Sequence, residues 1–180
     1  LKAAIARWEE VVVGDLPDMR IPYIPAEEVL AQQEFGAPFD IPEGKIVDDL
    51  HLIVRVDPIQ PIGNRTIASA AGWQYRTDNT AYLGLIQYDL ADVVNDVQNG
   101  SAVETLVHEI GHVFKLEWRW EDIELKDGSN YVGPNAQREY ASLKGVAGRL
   151  PVPLEPGDEE GTSGSHIAEA VFDNELMTGC

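Results

Sequence analysis

Hydrophobic and polar residues follow two different periods along the chain, which predicts a mixture of helices and strands. A helical period begins almost at once, in the amphipathic stretch AAIARWEEVV at residues 3–12. Five prolines then fall between Gly14 and Gly44, so we expect mostly loop there, with one short helix over residues 26–33.

Three later segments have the period or the composition of β-strands. From Leu50 to Val56 every second residue is apolar, which predicts one strand face against a core and places His51 on the more polar face. The other two segments are rich in small, aromatic or β-branched residues. The three strand candidates are residues 48–58, 66–73 and 81–90.

Two further helices are expected from turn and cap signals. A short one should follow the third strand candidate, starting at Asp89 or Asp92 and ending before Gly100. Another should have Pro134 in its first turn and Gly145 at its end. Near the C-terminal end of the chain we expect a short helix and then a turn.

The best-specified helix lies between these two. Ser101 and Glu104 have the spacing of a capping box, which predicts a helix that begins at Ala102. At ~100° per residue, His108 and His112 lie ~40° apart on one side of it. Its apolar residues fall within an arc of ~100° on the opposite side. They are Val103, Leu106, Val107, Ile110 and Phe114.

Composition and charge restrict the partners. The 180 residues are 44% apolar and 24% charged, which is typical of one globular domain. With 13 basic and 31 acidic residues, the net charge of −18 argues against nucleic acid and anionic membranes as partners. Such an excess of carboxylates makes a bound calcium ion a further candidate. No apolar run approaches the ~18 residues of a membrane span. The first residues lack the features of a signal peptide, so an exported form would be mature or trimmed.

The candidate chemistry is that of histidine, because the chain has a single cysteine, Cys180. His108, Glu109 and His112 form H-E-x-x-H, in which two imidazoles on one helix can reach one zinc ion. Glu109 is then placed to take a proton from water. A catalytic zinc needs a third protein ligand. The residues leave two candidates for it, His166 and Glu139.

Several segments resemble the leishmanolysin family of metzincin zinc peptidases, in a short form without many disulfides. His166 followed by NELMTG at residues 174–179 is similar to the third histidine and the methionine turn of that family. Residues 131–145 resemble the insertion that separates them from the helix. Lys115 departs from the family, which usually has glycine at this position, where a tight bend follows the helix.

The resemblance implies an α+β fold of the metzincin-like zincin type, as one catalytic domain over residues 1–180. A twisted mixed β-sheet and the active-site helix would occupy residues 1–116. An irregular C-terminal subdomain with the Met-turn would occupy residues 117–180. Because the connection before His166 is acidic and rich in proline and glycine, we expect it to be exposed, with only the metal and the Met-turn holding the end of the chain.

The resemblance also implies an activity, that of a secreted, monomeric zinc endopeptidase acting on protein or peptide substrates. One catalytic zinc would be bound by His108, His112 and His166, with Met177 beneath it and Glu109 as general base. An extended substrate would pair with an edge strand, for which residues 66–73 are the candidate. Two alternatives stay open. One is a thermolysin-like peptidase with Glu139 as third ligand, and the other is an inactive binding module stabilised by zinc.

Overall fold

The computed structural model of the chain describes residues 1–25, 40–59, 66–116, 124–156, 166–173 and 175–178. Helices and strands both occur along it, which confirms the α+β class. The chain divides into two compact units, Leu1–Phe114 and Lys115–Cys180. The single catalytic domain expected from the sequence stays a prediction, and the short helix expected over residues 26–33 lies outside the described residues.

Among its described residues, the first unit contains a three-stranded mixed sheet and three helices. In chain order its elements are α1 (Lys2–Glu9), β1 (Met19–Arg20), β2 (Ile46–Val47), β3 (His51–Asp57), β4 (Ala68–Tyr75), β5 (Ala81–Asp89), α2 (Leu90–Asn99) and α3 (Ala102–Val113). The sheet order is β3-β5-β4, with β5 parallel to β3 and antiparallel to β4. All three strands expected from the sequence are therefore confirmed. The described part of the proline-rich stretch is mostly loop, as expected, and its one strand, β1, pairs with β2 just beyond it.

The central strand β5 is buried over nearly its whole length because apolar residues cover both of its faces. Ile86 and Tyr88 belong to a cluster that includes residues of α1 and α3. Leu83 packs in a second cluster with Ile21 and Val47, which come from the β1–β2 region. The helices α1 and α3 thus pack on one face of the sheet, and the β1–β2 region packs on the other.

The helix α2 begins and ends as its sequence predicts. The side chain of Asp89 accepts hydrogen bonds from the backbone N–H groups of Ala91 and Asp92, which satisfies two donors of the first turn. Gly100 follows the helix with a φ of 91°, a left-handed conformation that favours glycine. Asp89 is therefore the cap, and the alternative start at Asp92 is wrong.

The second unit is built from short elements. They are β6 (Lys126–Asp127), β7 (Asn130–Tyr131), α4 (Pro134–Leu143), β8 (Val152–Pro153) and α5 (Glu169–Phe172). The three strands form an antiparallel sheet in the order β6-β7-β8. The start of the connection expected to be exposed is instead buried, because Val152 pairs with Tyr131 and Leu154 is 3% exposed.

Candidate metal centre

The helix α3 carries the H-E-x-x-H residues and begins at Ala102, as predicted. The capping box that motivated this start does not form. Ser101 has helical dihedral angles, and its hydroxyl donates to the side chain of Asn99 instead of capping the helix. The helix therefore begins at Ala102 without a side-chain cap.

His108 and His112 lie one helical turn apart with their ring nitrogens converging. Their Nε2 atoms are 2.9 Å apart, and the rings meet edge to face with centroids 4.6 Å apart. Two nitrogens at this distance, each ~2.05 Å from a single ion, subtend about 90° at it, which is moderately narrower than a tetrahedral angle. Without a cation, one of the two nitrogens has to carry a proton and donate it to the other. The pair therefore fits a zinc ion by donor type and spacing.

Glu109 lies between the two histidines in sequence and is 5% exposed. Its Oε2 atom is buried and has no hydrogen-bond partner among the described residues. Burial of this carboxyl raises its pKa to about 8. A buried carboxylate without a partner is costly, which is why the neutral form is favoured.

His166 lies in the second unit, in an irregular segment that is held by backbone hydrogen bonds. Its carbonyl accepts a hydrogen bond of 2.8 Å from Glu155, and Ala168 donates to Pro153 at 3.0 Å. The imidazole is buried, with 5% exposure. The expectation that only the metal and the Met-turn hold this segment is therefore wrong, because β8 and the residues after it also hold it.

Met177 lies in a turn that packs beside the same segment. The hydroxyl and the N–H of Thr178 both donate to the carbonyl of Glu175, which closes the turn. The carbonyl of Met177 accepts a hydrogen bond of 3.0 Å from Ile167, the residue after His166. The second unit thus brings the backbones of His166 and Met177 onto adjacent segments, an arrangement compatible with the predicted Met-turn.

Lys115 comes two residues after the end of α3 and has a φ of 62°. This left-handed conformation costs an L-residue roughly 1–2 kcal/mol and costs glycine little. The helix therefore does not continue through Lys115, and the left-handed position that the family usually fills with glycine is filled here by lysine.

Glu139, the alternative third ligand, lies on α4 with its side chain 67% exposed. Its Oε1 atom is 2.9 Å from a guanidinium nitrogen of the neighbouring Arg138. A carboxylate in this environment is solvated and paired, so its placement lends no support to a role as ligand.

Two further groups carry candidate chemistry in the first unit. Asp15, Asp48 and Asp49 form an exposed carboxylate cluster, in which Asp49 and then Asp18 raise the pKa of Asp48. No other feature of the described residues points to a cation there.

His51 lies on β3, where burial and then Lys45 lower its pKa, and its Nδ1 atom is 3.0 Å from the Lys45 ammonium nitrogen. His51 is therefore a strand residue, as the alternation of apolar and polar residues from Leu50 to Val56 predicted.

No protein-family model matches the chain, and no curated protein matches it either. Among the described residues, none of the helices is both long enough and apolar enough to cross a membrane. The resemblance to the leishmanolysin family therefore stays a prediction.

Proposed function

We propose that the protein is a zinc-dependent endopeptidase of the metzincin type. The observation that carries the proposal is the pair of histidine Nε2 atoms 2.9 Å apart on the helix α3, which also carries the buried, unpartnered Oε2 atom of Glu109. His108 and His112 would supply two ligands and His166 the third, since each offers one imidazole nitrogen. Three protein ligands leave one position open, as catalytic zinc sites require.

The chemistry follows from the residues around the ion. When bound, zinc lowers the pKa of water and polarises a carbonyl oxygen. Glu109 takes a proton from the attacking water while the water oxygen bonds to the carbonyl carbon of the scissile peptide. The C–N bond then breaks, and Glu109 returns the proton to the leaving amine. A single carboxylate can serve both steps, because it accepts a proton from water as it attacks and can return that proton to the departing nitrogen.

An extended peptide is the substrate class that the sheet supports. Among the described residues, β5 is the one strand that pairs with β4, which leaves β4 at an edge of the sheet. This is the strand expected from residues 66–73. An unpaired strand edge can accept a peptide by backbone hydrogen bonds, while the side chains set specificity. We therefore propose that substrates align along β4.

The remaining parts of the proposal derive from the family resemblance. They are a secreted location, a monomeric state and a Met-turn at Met177 that supports the zinc site. The thermolysin-like alternative is less well supported, because Glu139 is exposed and pairs with Arg138. The inactive binding module is disfavoured because a structural zinc site has no need of a buried carboxylate such as Glu109.

The test combines metal analysis with peptide cleavage. We expect about one zinc per chain, cleavage of unfolded protein substrates, loss of cleavage after chelation and recovery when zinc is returned. Cleavage that persists after complete removal of metal would overturn the proposal. Bound zinc without cleavage of any of a broad set of peptides would favour the binding module.

A further inference from the structure

The turn that carries the two histidines is held on one side by Trp8 of α1. The indole Nε1 atom donates a hydrogen bond of 2.9 Å to the carbonyl of Val107, the residue before His108. The indole ring also packs against Phe114, with centroids 5.1 Å apart. These two contacts lie on either side of the turn, because Phe114 comes two residues after His112.

On the sheet side, the same turn approaches β5 at Gly84. A Cβ atom at Gly84 would lie 2.5 Å from Val113 Cγ1 and 3.0 Å from both Val113 Cγ2 and Leu52 Cδ2. Carbon atoms in contact prefer a separation of ~3.5–4.0 Å. Glycine therefore lets Val113, the residue after His112, lie about an ångström closer to the sheet than any larger residue would allow.

We propose that Gly84 and Trp8 are positioning residues that together set the spacing of His108 and His112. Trp8 holds Val107 and Phe114 at the two ends of the turn. If a larger residue at position 84 displaces Val113, α3 therefore cannot move as a rigid body to accommodate it. The helical turn between the two histidines is distorted instead. A close-packed core transmits such a displacement. The inference deepens the proposed function and rests on it.

The sequence contains a signal for this role. Gly84 interrupts the apolar run AYLGLIQYDL, and a glycine inside a strand often marks a close approach of another element. Its site is also unlike that of Gly14, where an added Cβ atom would meet nothing within 4 Å. The two glycines therefore form a matched pair for the same substitution.

The experiment measures zinc affinity by competition with a chelator, at a temperature where circular dichroism shows each variant fully folded. We expect Gly84→Ala to weaken zinc binding about tenfold, the scale seen when groups that orient metal ligands are changed. Gly14→Ala should bind zinc with wild-type affinity. Wild-type affinity in Gly84→Ala would overturn the positioning role.

A second substitution tests whether the effect passes through Val113. In Gly84→Ala/Val113→Ala, both Cγ atoms that the new methyl group would meet are removed. Zinc affinity should then return to within about twofold of that of Val113→Ala alone, as expected when the clash is the sole coupling. A double variant as weak as Gly84→Ala would contradict the proposed route.

If Gly84→Ala does not fold, the variant Trp8→Phe tests the positioning role independently. It removes the indole N–H and keeps an aromatic ring beside Phe114. We expect zinc affinity to fall by at most about tenfold, the full worth of one hydrogen bond, because only the part of it that holds the histidines in their binding geometry affects the affinity. Wild-type affinity here would overturn the role of Trp8. Absence of zinc binding by the wild-type protein would instead overturn the proposed function itself, so the two failures are distinguishable.

Discussion

The two histidine-bearing regions of the molecule reach their geometry by different physical means. On α3, the helical repeat places His108 and His112 on one face, and the opposite apolar face anchors the helix to the sheet. Around His166 the chain is irregular, and its position depends on backbone hydrogen bonds from and to residues 153, 155 and 177. The first arrangement can be inferred from local spacing, whereas the second depends on residues distant in sequence.

The largest expected effect is at Glu109, within the regular region. Glu109→Gln should keep the fold and the zinc while lowering peptide turnover about 10²–10⁴-fold, because the proton acceptor is lost and the side-chain volume is kept. Turnover and zinc content are measured on the same preparation. Near-wild-type turnover would move the general base elsewhere.

The irregular region is tested by removing each candidate third ligand. His166→Ala should weaken zinc binding by more than about 100-fold, since even a group that only orients a ligand is worth ~10–100-fold. Glu139→Ala is the matched control and should keep wild-type affinity, because its carboxylate is exposed and paired with Arg138. The reverse result would favour the thermolysin-like site.

Lys115 lies at the bend after α3. Two substitutions there distinguish the cost of its backbone conformation from the contribution of its side chain. Lys115→Gly and Lys115→Ala both remove the long side chain, but only glycine relieves the left-handed conformation at a φ of 62°. We expect the glycine variant to be about 1 kcal/mol more stable than the alanine variant, or roughly 2–4 °C in Tm. A more stable alanine variant would indicate that the helix continues through this position.

The smallest expected effect is at Ser101, which stands at the helix-capping position of the sequence but makes no capping hydrogen bond. Ser101→Ala should change the free energy of unfolding by less than about 0.5 kcal/mol. Asp89→Ala should cost at least about 1 kcal/mol, because Asp89 caps α2 and also accepts a hydrogen bond from Ile59. Chemical denaturation of both variants measures the difference. Equal losses would mean that Ser101 does cap α3 in solution.

Much of the first unit could be predicted from local patterns. The alternation from Leu50 to Val56 predicted β3, and the aromatic and β-branched run predicted β5. The helical arc predicted the histidine face of α3. The reason is that each of these elements packs apolar residues against the core, and the spacing of those residues along the chain follows the repeat of a strand or of a helix.

The second unit was harder to predict because pairing across long separations decides it. Tyr131 pairs with Val152, so a stretch that resembles an exposed connection by composition becomes partly buried. The hydrogen bond from Ile167 to Met177 likewise has no local signature. The close approach of Gly84 to Val113 also needed coordinates, because a glycine in a strand does not say which element it faces.

The central claim is that three imidazoles bind one zinc ion, and X-ray absorption at the zinc edge tests it most directly. The zinc-loaded protein should show three imidazole nitrogens at ~2.0–2.1 Å and one further oxygen ligand. The His166→Ala variant, loaded at high zinc concentration, should show two. Two imidazoles in the wild-type protein, unchanged in His166→Ala, would contradict the account.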